Sequence, residues 1–290
     1  VFTNRDVLHA AISADDGEHW SGFRELYLNE RRNDIDFRSS GGNLGSLDKS
    51  VHQSQILELP HGKILIAFGQ HPYCRKLLIF DPDWLNEQHR EDDFSHGLTD
   101  WSVQQYLRSL AGGFRGVSGH CAYNRRPGAA LIPHPDGLPR EVLQVACHPD
   151  TRLLHQKEGA VWNFPACMDG QLIIRLRLPR GSQGMQLCLV DRWFNPVDPV
   201  VAHFAQHVLK IDQSGCINAI PCLQYDCWAE LAIRWNMGQA AHFRVDGGDW
   251  HETPLVFPTR NGISYLHLQS ATDEDDPFGV LIESVAQSAL

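Results

Sequence analysis

Aromatic and polar residues interleave at three places in this chain: Gly119-His120, Val161-Trp162-Asn163-Phe164 and Asp191-Arg192-Trp193-Phe194-Asn195. Mixtures of this kind suit sugars, whose flat apolar faces are covered by aromatic rings while Asn, Asp, Arg and His take the hydroxyls. His120, Trp162, Asn163, Asp191, Arg192, Trp193 and Asn195 are therefore the candidate carbohydrate ligands. A second account fits the same residues: Trp162 and Trp193 lie in a core or between domains, and their polar neighbours satisfy buried backbone groups.

Other groups could do chemistry at the surface. The acidic run Asp273-Glu274-Asp275-Asp276 offers oxygen ligands to Ca²⁺, although a run of carboxylates is more often a solvated turn. Hydrolysis by two acids on the second half would need two carboxyls on one face, about 5–9.5 Å apart. Glu230 and Asp246 are the nearest pair, and their spacing does not favour that use. The scattered histidines have no partner at metal-ligand spacing, so no resident metal and no cofactor is expected beyond the Ca²⁺ option.

These residues must be carried by strands. VLHAAIS, FRELYL, SQILEL, KILIAFG, KLLIF, EVLQVAC, QLIIRLRL, MQLCLV, CINAIPCL, LAIRW, AHFRV, ISYLHLQ and GVLIESVAQ are short and bounded by Gly, Pro, Asn or Asp, the pattern of an all-β protein. SQILEL-PHG-KILIAFG reads as a hairpin, with Gly62 free to take positive φ. Short helices are expected only at 103–110 and 201–209. Between Asn86 and Thr99 the chain turns polar and charged, which reads as a linker or surface loop. A boundary near residue 95 divides the chain into a small all-β segment, 1–95, and a β-sandwich, 96–290.

Composition narrows the classes. The 290 residues carry a formal net charge of -10, with 42% hydrophobic and 21% charged residues. That balance can build two cores, and without a basic block it speaks against nucleic acid as a partner. There is no apolar run of membrane-spanning length and no basic-then-apolar leader pattern, so no membrane partner is expected. The eight cysteines show no CxxC pair. They fit buried thiols first and leave disulfides or metal ligation open.

One short stretch marks the fold. In Ser13-Ala-Asp-Asp-Gly-Glu-His-Trp20, Ser13 and Asp15 can accept backbone N–H groups within a turn, and Gly17 allows a conformation that a Cβ would forbid. Trp20 is expected to fold back onto the sheet. Ser13, Asp15, Gly17 and Trp20 match S-x-D-x-G-x-x-W and resemble the Asp-box (BNR) turn between outer strands of sialidase-like β-propeller blades. Glu30-Arg-Arg-Asn33, His52-Gln-Ser-Gln-Ile-Leu-Glu-Leu-Pro-His-Gly62, Lys63 to Gln70 and Cys74-Arg-Lys76 extend the likeness. Gly119 to Asn124, Gly159 to Pro165 and Asp191 to Pro196 resemble the C-terminal region of neuraminidases. A second resemblance covers the later residues: Trp228 to Trp235, His242 to Gly247 and Gly279 to Val285 look like concanavalin A-like or laminin-G jelly rolls.

Together these resemblances imply a partial propeller followed by a concanavalin A-like jelly roll, and an exo-sialidase-like, glycoside-hydrolase relative that binds glycans, including sialylated ones. They favour a secreted or periplasmic setting. Sialidases hold a sugar carboxylate with an Arg cluster, a task for which the planar guanidinium fork is suited. Arg75, with Tyr73, His52 and Arg24 near it in the pattern, is the best match to such a catalytic anion site. The alternative is that Arg24, Arg31 and Arg32 are solvated surface charges and Tyr73 a rim aromatic. About 95 residues build about two blades, whereas closed rings take about 4–8. Hydrolysis is therefore expected only if more propeller is supplied. The non-catalytic alternative is a glycan-binding or protein-interaction module, and open sheet edges would allow a homodimer.

Overall fold

Apolar residues alternate along the longest strands, so each strand has one buried face, and two sheets can bury those faces against each other. The computed structural model describes residues 7–34, 51, 54–69, 75–110 and 123–290, and it is an all-β sandwich. The larger sheet runs Ala130–Pro133, Glu141–Cys147, Asp276–Ala289, Asp169–Arg177, Trp228–Asn236, Ala241–Val245 and His251–Thr253, with His89–Asp92 also paired to Asp276–Ala289. The facing sheet runs Ile220–Pro221, Cys216–Ile217, His207–Asp212, Gly184–Val190, Ile263–Ser270, Gly159–Cys167 and Trp101–Ser102. All of these ladder pairings are antiparallel.

The core between the sheets is made by alternate positions. Leu172, Ile174 and Leu176, with Leu231, Ile233 and Trp235, come from the larger sheet; Trp162, Phe164, Leu187, Leu189, Leu266 and Leu268 come from the other. Trp162 is central here. It is fully buried and stacks on Trp101 with ring centroids 6.0 Å apart.

Before the sandwich, Val7–Ile12 and Ser21–Leu28 form a hairpin, and Gln55–Glu58, Ile64–Phe68 and Lys76–Phe80 form a three-stranded sheet. The turn Pro60–Gly62 joins the first two strands of that sheet, and Gly62 takes φ 74°. Ile66, Phe68 and Val51 make its small core with Tyr27 of the hairpin.

Two local expectations are corrected and a third is met in part. Residues 104–110 form a strand paired with Tyr123–Pro127 rather than a helix, because the ladder satisfies the backbone that an isolated short helix would leave unpaired. Val201–Phe204 is a single helical turn, and the chain resumes as the strand His207–Asp212. The polar stretch 86–99 is not simply a linker: His89–Asp92 pairs with Ser288 to Val285 of the closing strand. The larger sheet thus takes chain from the N-terminal side of residue 95. A strand that exposes one face needs no apolar periodicity on that face, which is why its composition hid it.

Among the described residues no helix is long and apolar enough to cross a membrane. Cys147, Cys167, Cys188, Cys216, Cys222 and Cys227 are free thiols, and burial pushes the Cys188 thiol up to about 12, so it behaves as an inert core group. Cys74 and Cys121 lie outside the described residues.

Candidate functional site

The Ser13–Trp20 turn has the clamp geometry that its residue types suggest. Ser13 Oγ accepts the Gly17 N–H at 2.7 Å, and Asp15 Oδ1 accepts the His19 N–H at 2.9 Å. Gly17 sits at φ 93°, where a Cβ is strained. Trp20 corrects the expectation. Its side chain is 65% exposed, and its Nε1 donates to the Gly17 carbonyl at 3.1 Å, so the ring closes over the turn instead of packing on the sheet. Asp15, Glu18 and His19 bring one ligand atom each within 4.8 Å, but all three are exposed.

The hairpin lies against the outer face of the smaller sheet, and the residues of that contact define the site. Asn163 Oδ1 accepts the Glu25 N–H at 3.1 Å, while its Nδ2 donates to the Ser264 carbonyl at 3.0 Å. The Asn163 carbonyl accepts Arg90 Nη1 at 2.6 Å. Behind the strand, Tyr265 is fully buried, and its hydroxyl donates to Glu25 Oε1 at 2.9 Å and lies 2.6 Å from His9 Nε2. His9 stacks on Phe23 with ring centroids 5.0 Å apart. Loss of hydration pushes the Glu25 carboxyl up to about 7, and burial lowers the His9 imidazole to about 4.

Glu25 also lines a half-open hollow of about 290 Å³, together with Tyr27, Trp84, Arg90, Thr99 and Asp100. Arg90 Nη2 and Asp100 Oδ2 form an ion pair at 2.8 Å on its wall. The Arg24 guanidinium lies 3.6 Å from the Trp84 ring centroid and donates to Glu87 and to the Trp84 carbonyl. The indole is therefore held in one orientation. The hollow thus joins an aromatic wall, a fixed guanidinium–carboxylate pair and a carboxyl whose hold on its proton burial strengthens.

The residues singled out from sequence are distributed differently. Trp162 is buried in the core and Asn163 is buried at the hairpin contact, so of the two accounts drawn from the sequence their burial fits the one in which they serve the core and its backbone. Asp191 is buried, paired with Arg192 at 2.7 Å, and accepts from Thr259 and Asn261. Asn195 is also buried; its Oδ1 accepts the Tyr106 hydroxyl at 2.8 Å and its carbonyl meets His267 Nε2 at 2.9 Å. Trp193 packs with Val161, Cys188 and Tyr265 over the outer face of the smaller sheet. The loop 191–198 lies so close to the smaller sheet that a Cβ on Gly159 would come within 2.1 Å of the Pro196 carbonyl oxygen.

Arg75 borders a separate hollow of about 350 Å³ with Gln55, Phe68, Lys76 and Leu77. His52, Tyr73 and His120 lie outside the described residues. Arg24 and Arg32, expected as solvated charges if they were not part of an anion site, are buried and donate to backbone carbonyls. In the acidic run Asp273, Glu274 and Asp275 are exposed, while Asp276 accepts the N–H groups of Gln183, Phe278 and Gly279 and so closes a turn, as the solvated-turn reading has it.

Sequence reasoning missed Glu25, Tyr265, Trp84 and Arg90 as partners. The one available signal was the alternation in FRELYL, which puts a Glu on the same face as Phe23.

Neither a family model nor a curated protein matches the chain. Solved structures with a similar course exist. One is a sialidase at 12% identity, covering 79% of this chain and 20% of that one with a TM-score of 0.41. The exoplasmic/lumenal domain of VIP36 in its Ca²⁺/Man3GlcNAc-bound form is 12% identical and covers 70% of this chain and 91% of that one, with a TM-score of 0.39. Peanut lectin is 6% identical over 70% of this chain and 97% of that one, with a TM-score of 0.43. The chain spans a fifth of the length of that sialidase.

Proposed function

We propose that the chain is a carbohydrate-active, glycan-binding protein of sialidase-like kind, with the sugar seated in the hollow where the hairpin meets the sandwich. The observation that carries this reading is the convergence of Glu25, Trp84 and the Arg90–Asp100 pair on one hollow of about 290 Å³. Trp84 offers the aromatic face, the ion pair offers a hydroxyl donor and acceptor, and Glu25 offers a proton. Hydrolysis is proposed only with further propeller strands present. A non-catalytic module is the second reading, favoured by the burial of Tyr265 and by the commitment of Arg24 and Arg32 to carbonyls.

A glycan array carrying sialylated and neutral oligosaccharides tests the site. Binding is expected, and Trp84→Ala and Asp100→Ala should each weaken it about tenfold while the far-ultraviolet circular dichroism is kept. An array that retains no glycan, or equal retention by both variants, removes the proposal. Turnover of a fluorogenic sialoside separates the two readings.

Among the described residues the three-stranded sheet has Gln55–Glu58 and Lys76–Phe80 at its edges, with Leu57, Leu77 and Ile79 exposed. Such an edge would pair with a second copy, giving a homodimer by light scattering at micromolar concentration. A monomer mass under those conditions rules it out.

A further inference from the structure

The larger sheet carries on its outward face a cluster that the hollow does not use. Opposite Asp169–Arg177 the closing strand is irregular: Arg175 pairs with Ser284 and Leu176 with Ile282, so Glu283 is an extra residue in a β-bulge. A bulge re-aims a side chain, and here it places a carboxylate that is only 4% exposed among three donors. Its Oε1 accepts His134 Nε2 at 3.0 Å and Arg140 Nη2, and its Oε2 accepts Arg175 Nε.

One buried carboxylate therefore holds two guanidiniums, one on each oxygen. Both Arg side chains remain about half exposed, at 47% for Arg140 and 49% for Arg175. Beside them the Trp228 ring lies 5.1 Å from the His134 ring, and its Nε1 donates to Asp136 Oδ2 at 2.8 Å. The other oxygen of Asp136 accepts Arg177 Nη1 at 2.8 Å. Glu283 and Asp136 are thus occupied by hydrogen bonds from the cluster, and with Glu230 opposite Arg175 three guanidiniums stand against three carboxylates, of which Glu283 is buried beneath the two forks it holds.

We propose that this face is a second site, for sugar carboxylates of the hexuronate kind, with Arg140 and Arg175 as the bracket and Trp228 as the apolar wall. Guanidinium forks held in place by a buried acceptor lose little freedom when they take up a second carboxylate. Glu230 is exposed and opposite Arg175 on the neighbouring strand, so it selects for one carboxylate and against a polysulfated chain. The site is separate from the hairpin hollow and stands or falls independently of it.

Calorimetric titration of the whole chain with trigalacturonate, its methyl ester and galactotriose decides the matter. Trigalacturonate should bind, the ester and the neutral sugar about tenfold or more weaker, and added salt should weaken the acid alone. Arg175→Ala and Arg140→Ala should each cost about tenfold, and Arg175→Lys, which keeps the charge and loses the fork, several-fold. Equal binding of acid and ester, or no loss in the two alanine variants, overturns the proposal, as does the absence of heat with trigalacturonate at millimolar concentration.

Discussion

Replacing Arg32 with Met is expected to remove about 3–5 kcal/mol from the unfolding free energy, the loss characteristic of orphaning several buried acceptors of one cation. The guanidinium is buried and donates to the carbonyls of Asn29, Leu98, Thr99 and Trp101 and to the Ser102 hydroxyl. These acceptors belong to two segments, the end of the hairpin and the approach to Trp101–Ser102, and Asn33 joins the same segments by accepting the Val103 N–H at 2.9 Å. Met fills much of the volume but supplies no donor, so carbonyls that gave up water on folding are left bare. Lys at this position has the charge without the fork and should recover less than half of the loss. The readout is a lower urea midpoint at unchanged slope. A midpoint equal to wild type would mean that the tie does not hold the segments.

The second large effect is loss of stability in mild acid. Burial lowers the imidazoles of His9, His207 and His267 to about 4. A depressed histidine binds its proton more readily in the unfolded chain, so its contribution is present above about pH 6.5 and is lost as pH falls toward 4. Glu25 works in the opposite sense: its carboxyl, pushed up to about 7, favours the folded state at low pH and loses that contribution as pH rises through 7. His155, whose imidazole burial also lowers, acts in the same sense, so between pH 6.5 and 4.5 four histidines oppose Glu25. The net uptake of at least about two protons on unfolding lowers stability by roughly 4 kcal/mol or more over that window. Replacing His207 and His267 together with Gln leaves His9 and Glu25 to offset each other with His155 unopposed, and the slope over the same window should fall to less than about half. A double variant that keeps the wild-type slope would show that other groups carry the acid sensitivity.

The hydrogen-bond partners explain why the histidines matter. His267 Nε2 meets the Asn195 carbonyl, and His207 Nδ1 faces the Pro254 carbonyl at 3.4 Å. Protonation in place would charge a ring with one favourable acceptor and no counter-ion in contact.

Strand class and many strand positions were legible from residue alternation alone, because period two is a local property that each stretch of chain carries by itself. The Ser13–Trp20 clamp was legible for the same reason, since all its hydrogen bonds close within a few residues. Contacts across the chain were not. Arg32 reads as a surface charge until the segment near residue 98 folds over it, and Asn163 reads as a sugar ligand until the Glu25 N–H takes its oxygen. Trp20 and Trp162 are the same residue type, yet one lies exposed over its own turn and the other stacks in the core, because burial depends on which sheet arrives opposite. The sequence by itself determined the strands, their apolar faces and the local turn. Only the tertiary structure decided which polar groups became internal ties and which, at the hollow beside Glu25 and in Arg140 and Arg175 over the bulge of Glu283, kept a face to solvent, since burial and partner identity arise from segments far apart in the chain.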